Sequence, residues 1–271
     1  MDELRSIERS IIKKFRKPIW SRFVRAIKDF KLINEHDHLA VCISGGKDSM
    51  LLAKCIQELH RHGQIKFAVK YILMNPGYSK EHLKLIKDNC KKLNIPIKIF
   101  KSNIFKIINK KGLKDQCYMC ARMRRGFLYY YAKQLGCNKI VLGHHFNDVI
   151  ETILLNVLYA GQYKTMMPKV KSLNFSSMEL IRPFYYVKED DIIAWVKYNN
   201  LSFIKCACNV TRHRIDSKRI EIKNLIRQLK AINPDVDISI LRSAENVYLD
   251  SIIGYYYHDK FTHFLDEYDK K

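Results

Sequence analysis

The sequence predicts an α/β fold: a doubly wound, mostly parallel sheet with helices on both faces, plus helical extensions at its N- and C-terminal ends. Two observations predict it. Short apolar runs alternate with stretches of helical spacing from residue 38 to residue 199, the rhythm of repeated βαβ units. At the first strand-to-helix junction stands Ser44-Gly45-Gly46-Lys47-Asp48-Ser49, a turn that exposes backbone N–H groups to an anion beyond a strand's carboxyl end.

Taken in order, residues 1–36 read as one or two basic helices, with Ile11, Ile12, Phe15, Ile19, Trp20, Phe23 and Ile27 on one apolar face. Packing on the sheet is the expected role of that face, ahead of an RNA-binding arm or a dimer surface. Leu39-Ala40-Val41-Cys42-Ile43 is apolar throughout, as a parallel strand buried on both faces must be. Leu51, Leu52, Cys55, Ile56 and Leu59 then recur at close to 3.6 residues, which marks an amphipathic helix. Strands are expected at 38–44, 67–74, 96–101, 139–143 and 179–186, and helices at about 48–62, 80–94, 118–135, 147–160 and 188–199. Beyond residue 210, Ile220, Ile222, Leu225, Ile226 and Leu229 return to helical spacing. Tyr255-Tyr256-Tyr257-His258 suits stacking on bases, although filling a core is the commoner fate of such a run. The division expected is a basic extension (1–36), a nucleotide domain (37–210) and a C-terminal helical region (211–271).

Composition narrows the functional classes. No run approaches the roughly 20 apolar residues of a membrane span, and the first residues lack the apolar core of an export signal, so a cytoplasmic location without membrane association is expected. A formal net charge of +22 favours a polyanionic partner, nucleic acid first, against the plainer alternative of a lysine-rich composition. Eight cysteines in such a setting serve as core residues, metal ligands or catalytic groups rather than disulfides. Cys42 and Cys55 fall in apolar patterns, and Cys90 and Cys137 lie near helix ends without an obvious metal partner. Cys117/Cys120 and Cys206/Cys208 form close pairs.

Three segments carry chemistry. The Ser44–Ser49 loop lacks the spacing of a Walker loop, but its glycines allow close approach to phosphate, while Lys47 and the serine hydroxyls add donors. Cys117-Tyr118-Met119-Cys120 has the spacing of a shared metal or cluster, or of a redox pair. The cationic run that follows, with Arg122, Arg124 and Arg125, favours thiolates. Gly143-His144-His145-Phe146-Asn147-Asp148 follows a strand and faces the same edge as the loop. There Asp148 can hold Mg²⁺ or orient phosphates, and the histidines can be plain turn residues.

Together these segments resemble the tRNA 2-thiocytidine synthetase family of the PP-loop ATP pyrophosphatases. The resemblance extends through Asn156–Gly161, Met167-Pro168-Lys169 and Ile181-Arg182-Pro183-Phe184, and covers roughly residues 36 to 232. It implies an adenine nucleotide alpha hydrolase-like fold and ATP-dependent tRNA thiolation, in which the C2 oxygen of an anticodon-loop cytidine is adenylated and then replaced by sulfur. It further implies ATP held by Ser44, Gly45, Gly46, Lys47, Asp48, Ser49, Gly143 and His144, with Lys47, Asp48 and Asp148 catalytic and Mg²⁺ on Asp48 or Asp148. A [4Fe-4S] cluster would sit on Cys117, Cys120 and Cys206, with Cys208 the alternative to Cys206. Arg122, Arg124, Arg125 and Arg182 are the candidates for tRNA phosphate contacts. A cysteine desulfurase system is the expected sulfur donor, and a homodimer is left open. The chain departs from the family pattern at Asn147-Asp148, where two aspartates are frequent, at Asn75-Pro76-Gly77-Tyr78, and in the close spacing of Cys206 and Cys208. The alternatives are another PP-loop tRNA-modifying enzyme, of uridine thiolase or lysidine synthetase type, or a noncatalytic nucleotide- and RNA-binding iron–sulfur protein.

Overall fold

The computed structural model describes residues 2–102, 104, 107, 116–204 and 215–268. Its central sheet has the strand order β3-β2-β1-β4-β6-β5. The strands are β1 (His38–Ile43), β2 (Ala68–Asn75), β3 (Ile97–Lys101), β4 (Lys139–Val141), β5 (Lys169–Lys171) and β6 (Glu179–Ile181). All neighbours are parallel except β5 and β6. From β1 the chain winds outward through β2 and β3, then crosses back to β4 on the other flank. Leu39 therefore faces Val69 on one side and Lys139 on the other. That reversal opens a crevice beyond the carboxyl ends of β1 and β4, the place where ligands bind in open α/β sheets.

Among the described residues the helices of eight residues or more are, in chain order, α1 (Asp2–Ile12), α2 (Arg22–Asp29), α3 (Lys47–His62), α4 (Lys80–Lys92), α5 (Gln116–Gln134), α6 (Phe146–Ala160), α7 (Glu189–Tyr198), α8 (Ile215–Ile232) and α9 (Val236–Ser243). Between α1 and α2 the chain widens into a π-helical turn, Arg16–Ser21, around Pro18, which has no N–H to donate to a regular helix. The N-terminal apolar face is buried as expected: Ile7, Ile11, Phe15, Ile19 and Phe23 share one core with Leu51, Leu52, Ile56 and Trp195. On the opposite face α5 lays Ala132 and Leu128 against Ala40, Cys42, Ile72 and Ile140. A third core joins α6 to α8 and α9 through Val149, Ile150, Ile153, Ile222, Ile226 and Leu241.

Buried polar groups tie the N-terminal segment to this body. The Lys54 ammonium is 2.6 Å from Glu8 Oε1 and donates to the Leu93 carbonyl at 2.8 Å. Lys139, similarly enclosed, lies 2.6 Å from Asp37 Oδ2 and donates to the Leu32 carbonyl at 2.9 Å. Ser10 Oγ accepts from Trp195 Nε1 at 3.1 Å and from Asn199 Nδ2 at 3.2 Å. Each buried charge is thus both paired and hydrogen-bonded, the condition for tolerating it in a core.

Two expectations need correction, and two elements were not foreseen. The strand expected at 179–186 ends at Ile181, because Pro183 cannot donate to a ladder and the chain turns instead, with Tyr185 N–H on Arg182 O and Val187 N–H on Phe184 O. The edge strand β5 and helix α9 carried too short a pattern to be read. The aromatic tail does not fill a core: it forms a hairpin of β7 (Gly254–Tyr257) and β8 (Lys260–His263), on which Tyr256 and Tyr257 remain 75% and 69% exposed. Among the described residues no helix is long and apolar enough to cross a membrane.

Candidate active site

The turn after β1 is built to receive an anion. Gly46 is the N-cap of α3 and offers no side-chain cap, so the first-turn N–H groups of Lys47, Asp48 and Ser49 lack partners within the helix. Gly45 has φ +87°, and a Cβ there would come within 2.6 Å of Ile86 Cγ1, so both conformation and space demand glycine. Gly143 serves differently. A Cβ on it would lie 3.2 Å from Asp48 C and Ser49 N, so glycine lets the end of β4 press on the first turn of α3. Ser49 is committed to the loop itself: its hydroxyl donates to Gly46 O at 3.0 Å and accepts the Ser44 N–H at 3.1 Å. The Ser44 hydroxyl completes the ring, 3.1 Å from Ser49 Oγ.

A cleft of about 720 Å³ opens over this turn. Lys47 Nζ stands in it between two carboxylates, 3.0 Å from Asp48 Oδ1 and 3.0 Å from Glu189 Oε1. Burial works against the Lys47 charge, but these neighbours prevail and hold its pKa above the ordinary value. Burial alone would raise Glu189, yet the hydrogen bond and charge of Lys47, with help from His145 and Lys223, hold it down at about 2. Asp148 is the third residue of α6, and its Oδ2 accepts the His145 N–H at 3.0 Å, so one of its oxygens caps the helix. Burial would raise its carboxyl too, and His145 and His144 outweigh it to leave the pKa lowered.

His145 is enclosed between the acids, with Nδ1 3.5 Å from Asp148 Oδ2 and Nε2 3.8 Å from Asp48 Oδ1. Asp48 Oδ1 and His145 Nδ1 are buried without a well-directed hydrogen bond among the described residues, their near neighbours being Lys47 Nζ and Asp148 Oδ2. His144 accepts from Arg182 Nε at Nδ1, 3.3 Å away. Burial, with Arg182 adding to it and Asp148 opposing, keeps its pKa down at about 4. The ring is therefore neutral at pH 7 and carries its proton on Nε2. Asn147, at a position where the family pattern often has a second aspartate, accepts the Glu189 N–H at 2.9 Å and so locks the start of α7 to that of α6.

The sequence-derived residues are only partly brought together. Ser44, Lys47, Asp48, Ser49, Gly143, His144, Asp148, Arg124, Arg125 and Arg182 all line the cleft. Gly45 and Gly46 belong to the same turn but do not line the cleft, and Arg122 is exposed and outside it. Arg182 reaches inward, donating to His144 and to the Met167 carbonyl, and burial lowers its pKa to about 10. Cys117 and Cys120 fall three apart on the first turns of α5, and their side chains lie outside the described residues, as do Cys206 and Cys208 altogether. Among the described residues no group of three or more His, Cys, Asp or Glu side chains is placed to hold a metal ion.

Sequence reasoning missed Glu189, Glu151, Arg219 and Lys223. Lys223 Nζ is 3.1 Å from Glu189 Oε2 and 3.6 Å from Glu151 Oε1, and Arg219 Nε is 3.7 Å from Glu151 Oε2. Burial pushes the Glu151 carboxyl up to about 7 against the pull of Lys223. Glu189 opens the helix after the last parallel strand, a position where a site residue is expected. Arg219 and Lys223 carry only their i, i+4 spacing, which any solvated helix face shares.

Comparison with known proteins agrees with this architecture. Residues 17–229 match the PP-loop domain family. The tRNA-cytidine(32) 2-sulfurtransferase of Geobacter metallireducens is 36% identical over 225 residues, covering 82% of this chain and 87% of the relative. That of Geotalea uraniireducens is 36% identical over 231 residues, covering 84% and 91%. Among solved structures, the U34-tRNA thiolase NcsA from Methanococcus maripaludis with its [4Fe-4S] cluster superposes with a TM-score of 0.65 at 22% identity, over 83% of this chain and 76% of that one, a likeness of fold. The loop at Ser44, the strand order and the extent of these matches lead to one conclusion: the chain belongs to the PP-loop family and, within it, to the family of the tRNA-cytidine 2-sulfurtransferases.

Proposed function

We propose that this chain is an ATP-dependent tRNA thiolase that adenylates the C2 oxygen of an anticodon-loop cytidine and replaces it with sulfur. One observation carries this: the Ser44–Ser49 loop and the Gly143–Asp148 edge converge on a single cationic cleft, in a chain 36% identical to tRNA-cytidine(32) 2-sulfurtransferases over most of its length. The first-turn N–H groups of α3 receive the phosphates, and Lys47 offsets the charge that develops as pyrophosphate leaves. His144 presents Nε2–H from the end of β4 as a neutral donor.

Asp48 and Asp148 suit Mg²⁺, which takes one or two carboxylates and completes its shell with phosphate oxygens and water. Asp48 Oδ1 has the Lys47 ammonium at 3.0 Å but no well-directed hydrogen bond, which leaves it available for that use, and bound Mg²⁺ would neutralise phosphate charge. For the iron–sulfur cluster the cysteine inventory is selective. Cys42, Cys55, Cys90 and Cys137 are buried, and burial raises all four thiols, Cys90 to about 12, which disfavours the thiolate a ligand needs. That leaves Cys117 and Cys120, three residues apart in sequence, together with Cys206 or Cys208. When bound, the cluster supplies the sulfur that replaces the cytidine oxygen. Arg124, one turn beyond Cys120, and Arg125 place positive charge where an RNA phosphate must lie. A cytoplasmic setting, with sulfur furnished by a cysteine desulfurase system, meets the needs of this chemistry.

The test is mass spectrometry of tRNA nucleosides from cells lacking the gene. Loss of 2-thiocytidine, restored by the intact chain and not by Cys117→Ala, is the expected result. Unchanged 2-thiocytidine with loss of another thionucleoside moves the activity to a different base. No change in any thionucleoside rejects the thiolase reading.

A further inference from the structure

The cleft holds an internal substitute for a phosphoryl group. The two oxygens of Glu189 bridge two ammonium groups from opposite walls: Oε1 is 3.0 Å from Lys47 Nζ on α3, and Oε2 is 3.1 Å from Lys223 Nζ on α8. A phosphoryl group presents paired anionic oxygens in much the same way, and lysine binds it as a point charge. Lys47 shares its charge with Asp48, 3.0 Å from it, so a second cation adds to what it offers a departing pyrophosphate. Arg219, one turn before Lys223, also lines the cleft. Both cations lie within 3.7 Å of Glu151, whose side chain is 2% exposed, while their own side chains stay 42% and 37% exposed at the cleft mouth, open to an entering ligand.

We propose that Arg219 and Lys223 are the second jaw of the pyrophosphate site, facing the Ser44–Ser49 loop across the cleft, with the Glu189 carboxylate holding the phosphoryl position until nucleotide enters. The assignment rests on the nucleotide function proposed above and extends it to residues of the C-terminal region. On arrival the phosphate takes over Lys47 and Lys223, and Glu189 gives them up. The same two lysines then contact ligand instead of carboxylate. No bond is made or broken in this exchange.

Titration calorimetry of the full-length chain with inorganic pyrophosphate and Mg²⁺, and separately with AMP, tests the assignment. Lys223→Met and Arg219→Leu are each expected to weaken pyrophosphate at least tenfold while AMP stays within twofold. Lys223→Arg is expected to retain pyrophosphate within threefold. Glu189→Gln, which removes the competing carboxylate, is expected to tighten it severalfold. Pyrophosphate binding unchanged in Lys223→Met, AMP lost in parallel with it, or weaker binding in Glu189→Gln overturns the assignment. If the parent chain binds both probes, such a result leaves the nucleotide function standing. If the parent binds neither, that function falls as well.

Discussion

Replacing Gly45 with alanine separates two costs that the phosphate turn imposes. The backbone cost comes from φ +87°, and holding an L residue in left-handed backbone costs about 1–2 kcal/mol. The steric cost comes from a Cβ placed 2.6 Å from Ile86 Cγ1 and 2.9 Å from Ile204 Cδ1. Ile86 is fully enclosed in the main core and cannot step aside, so overpacking adds about 1–3 kcal/mol. Gly45→Ala should therefore lower the unfolding free energy by about 2–5 kcal/mol, measured by urea titration with an unchanged m-value, and ATP binding should weaken with it. Ile86→Ala alone costs about 2–5 kcal/mol as a cavity. In the double variant the Ile86 share of the steric part vanishes while the Ile204 contact and the backbone part stay, so the combined loss should fall short of the sum by about 1–2 kcal/mol. Strict additivity, or a Gly45→Ala chain within about 0.5 kcal/mol of the parent, would refute this account of the turn.

Three further outcomes are expected. Lys139→Met leaves Asp37 in the core without its cation and should cost about 3–5 kcal/mol by the same titration. Burial would raise the Asp37 carboxyl, but hydrogen bonds from Lys139, Asn34 and Asn138 hold it lowered. Its stabilisation is thus present above the unfolded value and lost as pH falls below about 4, and Lys139→Met should flatten that acid limb in a pH series. Glu151 is the opposite case. Burial raises it to about 7, so its contribution is full below its unfolded value and disappears as pH climbs through 7. Glu151→Gln should gain on the parent by on the order of 2 kcal/mol between pH 5 and pH 8, read from melting curves at both. Arg125→Ala should weaken tRNA binding without regard to sequence and reduce the slope of log K against log salt by about one, whereas Arg122→Ala, outside the cleft, should change it less.

The parts of the fold legible in the sequence were those with a period to read. β1 showed as an unbroken apolar run because it is buried on both faces, and α3 showed as a helix because its apolar residues recur at helical spacing, although from Ser49 to Leu59 every residue but Gln57 is buried. β5 has three residues, and Lys169 and Lys171 flank Val170 at a sheet edge, which leaves too little pattern. The site divided the same way. Residues contiguous with the phosphate turn or with Gly143 could be picked out, since strand ends and helix starts converge in this topology. Glu189, Arg219 and Lys223 reach the cleft only through the packing of α7 and α8, and charge at helical spacing does not say which way it faces. The committed hydroxyl of Ser49 illustrates the converse: its residue type was informative, but its task is to close the turn.

The bond from Trp195 to Ser10 has a consequence for how the molecule is made. The partners are separated by 185 residues, and ribosomes add about 5–20 residues per second. Ser10 therefore waits roughly 10–40 s before its partner exists. Throughout that interval the oily face of Ile7, Ile11, Phe15 and Ile19 has no α7 to lie against. α1 can settle on Leu51, Leu52 and Ile56 of α3 well before that, so the contact with α7 is the part of its enclosure that closes last.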